Sequence, residues 1–221
     1  MCLKDRLYAC FFRVITFFIG AITLIYDFGV FNGTFKGTNL LYFTIISNLL
    51  CIILFLSLTL KTVIEYIKDG RYGTTSVSPH IKGCTIICIL LTMIVYHFIL
   101  IPHALKINPY QILKIPDCIF HYVMPFMTLL DWIIFDEKDG FKWYDPLLWI
   151  ILPYIYIIII FIQARYDIIA RSTNHINRYI YVFLDVGTIG TKNVVSNVLS
   201  LTVAFIIIGY FIYGFDKIKV N

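Results

Sequence analysis

Two short stretches carry residue types that could do chemistry together: Leu41-Tyr42-Phe43-Thr44-Ile45-Ile46-Ser47-Asn48 and Phe120-His121-Tyr122-Val123-Met124-Pro125. A threonine hydroxyl becomes a nucleophile only when a neighbouring base takes its proton, and neutral imidazole is the commonest such base near neutral pH. Thr44 and His121 are therefore a candidate nucleophile and base. Asn48 lies one turn after Thr44 on the same helical face and is a candidate donor to a developing oxyanion, with a helix-joining role as the alternative. Asp27, His97, His103 and Asp185 are candidates for orienting the imidazole, and their positions in the chain do not choose among them. Taken singly, Thr44 also fits the ordinary back-bond of a membrane threonine to the carbonyl four residues earlier, at Leu40. His121 alone fits an interhelical hydrogen bond.

The elements that must position these residues are membrane helices. The chain has 221 residues, 60% of them hydrophobic and 17% aromatic, with a mean hydropathy of +0.85. That lies far outside the composition of soluble proteins. Six apolar runs recur, at about Cys10–Phe31, Leu40–Leu60, Cys84–Pro102, Cys118–Phe135, Leu147–Ile162 and Val194–Tyr213. A hydrocarbon core of roughly 30 Å needs about 20 helical residues, and the runs lack the alternation of barrel strands. The expected fold is all-α: one domain, a polytopic membrane protein whose bundle of six transmembrane helices has an extra segment before the sixth. That segment, Ile176–Asp185, is apolar and aromatic but too short to span, so an interfacial or re-entrant path is expected. Turn signals separate the runs, at Asn32-Gly33-Thr34, Lys68–Gly73, Asn108-Pro109 and Asp139-Gly140.

Placing the N-terminus in the cytoplasm puts eleven Lys and Arg residues on that side and seven on the other, so both termini are expected to be cytoplasmic, in the plasma membrane. The net charge of +5 then reports topology and not a nucleic-acid partner. The six cysteines form no C-x-x-C pair and read as small buried residues, not as a disulfide framework or zinc site. Lys4 and Arg6 precede the first run, but no small-residue cleavage site follows, so an uncleaved span is expected. On this topology Thr44 lies about 6 Å and His121 about 4–5 Å below the outer ends of their spans, at one depth. Pro125 has no N–H for the carbonyl one turn back, so the fourth helix should loosen at His121. Asp131 lies ten residues beyond His121, about 15 Å deeper. It is expected to pair with Arg13 as a structural ion pair, with Trp132 as an interfacial anchor.

Three blocks together resemble a known family: Tyr42–Asn48, then His121-Tyr122-Val123-Met124-Pro125 running into Leu129-Leu130-Asp131-Trp132-Ile133-Ile134-Phe135, then Tyr181-Val182-Phe183-Leu184-Asp185. The combination looks like the bacterial six-span relatives of the androgen-induced membrane hydrolases, although Val182 stands where those relatives tend to have proline. The resemblance implies a multi-pass threonine hydrolase whose animal members cleave fatty acid esters of hydroxy fatty acids, with the catalytic threonine mapping to Thr44 and the histidine to His121. The expected function is thus an intramembrane lipid-ester hydrolase acting on fatty-acyl esters, without cofactor or metal. Its partners are membrane lipids and a lipid-like ester that enters from the outer leaflet. Phe43, Tyr122 and Phe126 are expected to line the acyl site. Two other classes remain open: a metal-dependent membrane hydrolase built on His97, His103 and His121, and a non-enzymatic carrier of ions or small molecules that uses Asp27, Asn48, His97 and Asp131.

Overall fold

The computed structural model describes residues 2–107, 114–166 and 178–218. The turn read at Asn108-Pro109 and the start of the extra segment, Ile176 and Asn177, lie outside these residues. Among the described residues, six helices are long and apolar enough to cross a membrane: α1 (Arg6–Asp27), α2 (Phe43–Asp69), α3 (Pro79–Lys106), α4 (Ile115–Phe135), α5 (Asp145–Arg165) and α6 (Thr191–Asp216). This is an all-helical integral membrane bundle.

Local chemistry explains where the helices begin. Asp5 caps α1 by accepting from the N–H groups of Leu7 and Tyr8 at 3.0 and 3.4 Å. A proline sits in the first turn of α3, α4 and α5, where its missing N–H costs nothing. The end of α2 is set by Gly70, whose φ of 85° is open to glycine at little cost.

The apolar runs misplace several boundaries. The first helix starts four residues earlier than the run and stops at Asp27, because Asp5 provides a cap and Gly29 takes a φ of 72°. Leu40 and Leu41, read as the start of the second span, belong instead to a 3-10 turn, Gly37–Leu41, and α2 begins at Phe43. Hydropathy alone cannot distinguish an apolar turn from an apolar helix.

The chain enters α1 and leaves α6 at the same end of the bundle. Leu3 N–H donates to Ile134 O at 2.7 Å, Gly73 N–H to Lys4 O at 3.1 Å and Asp139 N–H to Asp216 O at 2.8 Å. The α2–α3 and α4–α5 connections therefore share the end that holds the termini. A buried charge cluster lies there. Arg13 Nε donates to Asp131 Oδ1 at 2.8 Å, Lys82 Nζ reaches Asp131 Oδ2 at 2.5 Å and Asp136 Oδ2 at 2.6 Å, and Arg13 Nη1 donates to Thr62 Oγ1 at 2.8 Å. Trp132 is no interfacial anchor: it is buried, stacked on Phe141 at 5.6 Å, with Lys138 Nζ 4.0 Å from its ring centre.

At the opposite end, the segment before α6 folds over the bundle. A 3-10 turn, Val182–Leu184, leads into a short helical turn, Val186–Ile189. Tyr181 and Leu184 of this cover are buried in one apolar cluster with Phe43, Tyr156, Ile160 and Val194.

Candidate functional site

Thr44 is the second residue of α2, and this position decides what its hydroxyl can do. Thr16, Thr23, Thr62, Thr85, Thr92, Thr128 and Thr202 each donate back to the carbonyl four residues earlier. Thr44 does not, because Leu40 precedes the helix. Its Oγ1 lies 3.2 Å from His121 Nε2 instead.

The other imidazole nitrogen fixes the direction of that bond. His121 Nδ1 is 2.9 Å from the carbonyl oxygen of Asp117, one turn earlier on α4. A carbonyl only accepts, so Nδ1 carries the proton and Nε2 of the neutral ring is the acceptor facing Thr44. The arrangement is that of a hydroxyl beside its base, with a third group holding the base in the useful tautomer. The ring is also clamped from the side. Tyr96 of α3 stacks on it with centroids 3.6 Å apart and planes 11° apart.

Two irregular helical turns make this clamp. Tyr96–Leu100 in α3 and Ile119–Val123 in α4 are both π-helical, and each is followed by a proline two residues after its last member, Pro102 and Pro125. In α4 the N–H of Met124 bonds to Ile119 O, five residues back. In that register the proline at 125 has no N–H for the carbonyl of Phe120. Asn48 Nδ2 supplies the missing donor, at 3.2 Å from Phe120 O and 2.8 Å from Thr44 O.

Asn48 is thus a tie between α2 and α4 and not an oxyanion donor: both its amide protons are engaged with carbonyls. The proposed orienting residues are also elsewhere. Asp27 Oδ2 accepts from Asn39 Nδ2 at 2.7 Å and so closes the α1–α2 connection. Asp185 caps the Val186–Ile189 turn, accepting from Gly187 N–H at 2.9 Å and Thr188 Oγ1 at 2.7 Å. His97 Nδ1 lies 3.1 Å from Tyr122 Oη. The group that orients His121 is a main-chain carbonyl, which has no signature in a sequence. Among the described residues, no three His, Cys, Asp or Glu side chains converge, and His97, His103 and His121 do not form such a group.

Thr44 also faces an apolar cavity of about 70 Å³, bounded by Phe43, Leu91, Val95, Leu100, Pro153, Tyr156, Ile157, Tyr181, Phe183, Leu184 and Leu201. Phe43 lines this cavity, whereas Phe126 points outward, 54% exposed, and Tyr122 packs edge-on to Tyr96. His121 meets Thr44 from outside this space. Two tyrosines that sequence reasoning missed meet it from within. Tyr181 Oη accepts from Phe43 N–H at 3.2 Å, and Tyr156 Oη donates to Leu41 O at 2.8 Å. The hydroxyls of Thr44 and Tyr156 are close neighbours of Tyr181 Oη, and burial pushes the Tyr181 phenol above its ordinary pKa. Tyr181 opens the third block of the family resemblance and lies in a short aromatic stretch too apolar for a loop, but neither gave it a role. No protein-family model, curated protein or solved structure matches the chain.

Proposed function

We propose that the protein is an intramembrane lipid-ester hydrolase that acts on fatty-acyl esters with Thr44 as nucleophile and His121 as general base. The single observation behind this reading is the 3.2 Å approach of Thr44 Oγ1 to His121 Nε2, with the tautomer set by the Asp117 carbonyl. The acyl chain lies in the cavity, against Phe43, Leu91 and Leu184, and the alcohol portion lies toward His121. Thr44 Oγ1 bonds to the ester carbon while its proton passes to Nε2. The tetrahedral intermediate collapses, the carbon–alcohol oxygen bond breaks, and His121 returns the proton to the departing alcohol. Water, deprotonated by the same imidazole, then bonds to the acyl carbon, the Thr44 Oγ1–carbon bond breaks to release the fatty acid, and His121 returns the proton to Thr44 Oγ1.

The resemblance to the androgen-induced membrane hydrolases implies the same two residues. On this reading the end holding the termini faces the cytoplasm of the plasma membrane, in line with the excess of Lys and Arg there, and the ester arrives from the outer leaflet. The test is turnover of acyl esters by membranes that contain the parent, Thr44→Ala or His121→Ala. Both variants are expected to lose activity, and a variant as active as the parent would falsify the dyad.

A further inference from the structure

An ester carbon in attack distance of Thr44 places its carbonyl oxygen inside the cavity, where the negative charge of the intermediate must find a hydrogen-bond donor. The hydroxyls on the cavity wall belong to Thr44, Thr92, Tyr156 and Tyr181. Their protons can be followed one at a time. The Thr44 proton is directed at His121. Thr92 Oγ1 is held by Cys88 O at 3.2 Å and Ser47 Oγ at 2.8 Å, and the Tyr156 proton goes to Leu41 O at 2.8 Å. Tyr181 differs: a main-chain N–H donates to it, and what faces its own proton is no carbonyl but the hydroxyl oxygens of Thr44 and Tyr156, which it can leave for an incoming ester.

We propose that Tyr181 is a catalytic residue of this site, donating its phenolic hydrogen bond to the carbonyl oxygen of the ester as that oxygen becomes an oxyanion. The assignment rests on the reading of Thr44 as nucleophile. Accepting the Phe43 N–H fixes the phenol in place and polarises it, which strengthens it as a donor. Burial keeps it protonated at neutral pH. The Thr44 N–H, in the first turn of α2 and without an acceptor among the described residues, adds a second donor beside it. Electrons and protons balance without net transfer at Tyr181. The carbonyl π pair moves onto oxygen as the Thr44 Oγ1–carbon bond forms, the phenol keeps its proton throughout, and the pair returns when the alcohol leaves. Asn48, the donor suggested by spacing, faces away from the cavity with both protons engaged.

The experiment uses the full chain in detergent micelles with p-nitrophenyl octanoate. Tyr181→Phe is expected to lower kcat about 10²-fold with KM within roughly threefold of the parent. Its affinity for octyl trifluoromethyl ketone, which forms a tetrahedral oxyanion on Thr44, should fall by a comparable factor, while its affinity for the methyl ketone holds. Tyr154→Phe, which loses a hydroxyl bonded to Thr202 Oγ1 at 2.9 Å on the exposed face, is the control and should match the parent. A Tyr181→Phe protein that turns over within roughly threefold of the parent overturns the Tyr181 assignment and leaves Thr44 standing. A parent without turnover, or Thr44→Ala equal to the parent, removes the underlying reading and this assignment with it. Should Tyr181→Phe fail to fold, 3,5-difluorotyrosine at 181 keeps the shape and makes the phenol more acidic. The alkaline limb of kcat then moves to lower pH, and an unmoved limb overturns the assignment.

Discussion

A hydroxyl 3.2 Å from an imidazole acts as a nucleophile only while that imidazole is neutral. Turnover should therefore rise as pH is raised and the imidazole loses its proton, because protonation at low pH removes the lone pair that receives the Thr44 proton; a pH–rate profile without an acid limb would exclude His121 as base. Thr44→Ser keeps the oxygen and should retain measurable turnover, whereas Thr44→Ala should lose about 10³-fold or more. Asn48 makes a separate prediction. Replacing it with leucine strips the donor from the buried Phe120 carbonyl, so the melting temperature should fall by the equivalent of about 1–3 kcal/mol. At this scale the sequence is readable where a side chain announces its chemistry. Thr44, His121 and Arg13 with Asp131 are such cases: residue chemistry and depth suggested both pairings, and the family resemblance implied the first. Lys82 and Asp136 escaped because they flank the apolar runs and read as connections, although both are buried in the Arg13–Asp131 cluster. The Asp117 carbonyl escaped because every residue type has one.

Helices were legible because bilayer thickness sets a length that hydropathy can measure, but their internal irregularities were not. A proline in the fourth span promised a loosened turn at His121, and the actual π register also leaves the Phe120 carbonyl without its main-chain donor, where Asn48 can reach it. The matching spacing of Pro102 after the α3 π-turn shows that the same device shapes both walls of the clamp around the imidazole. Pro125→Ala supplies an N–H that lets the turn relax toward α-helix, which would rotate His121 relative to Thr44. The expected result is a loss of turnover with helicity and melting temperature near those of the parent; full activity in a stable Pro125→Ala protein would show that the π-turn does not aim the base. Packing between elements is set elsewhere. A Cβ on Gly83 of α3 would lie 2.2 Å from Cζ2 of Trp149, whose indole N–H bonds His80 O at 3.1 Å. Gly83→Ala should accordingly destabilise the bundle by about 1–3 kcal/mol through overpacking, read as a lower melting temperature in detergent.

Across the whole molecule the two polar centres are separated along α4. The dyad sits near one end, and the cluster of Arg13, Lys82, Asp131 and Asp136 sits near the end that holds the termini. Asp131→Asn leaves two buried cations facing one carboxylate, a loss worth about 3–5 kcal/mol. The expected outcome is poor folding with normal turnover per folded molecule; a well-folded but inactive Asp131→Asn protein would show that the carboxylate belongs to the catalytic centre after all. The native cluster has a further property. Its two cations and two carboxylates sum to zero formal charge. A transmembrane voltage does work on charge that moves through it, at about 2.3 kcal/mol per elementary charge for a full crossing of 100 mV. The field of an energised membrane thus finds no net charge in this cluster to pull on. Asp131→Asn would break that neutrality and couple the stability of the bundle to membrane polarisation.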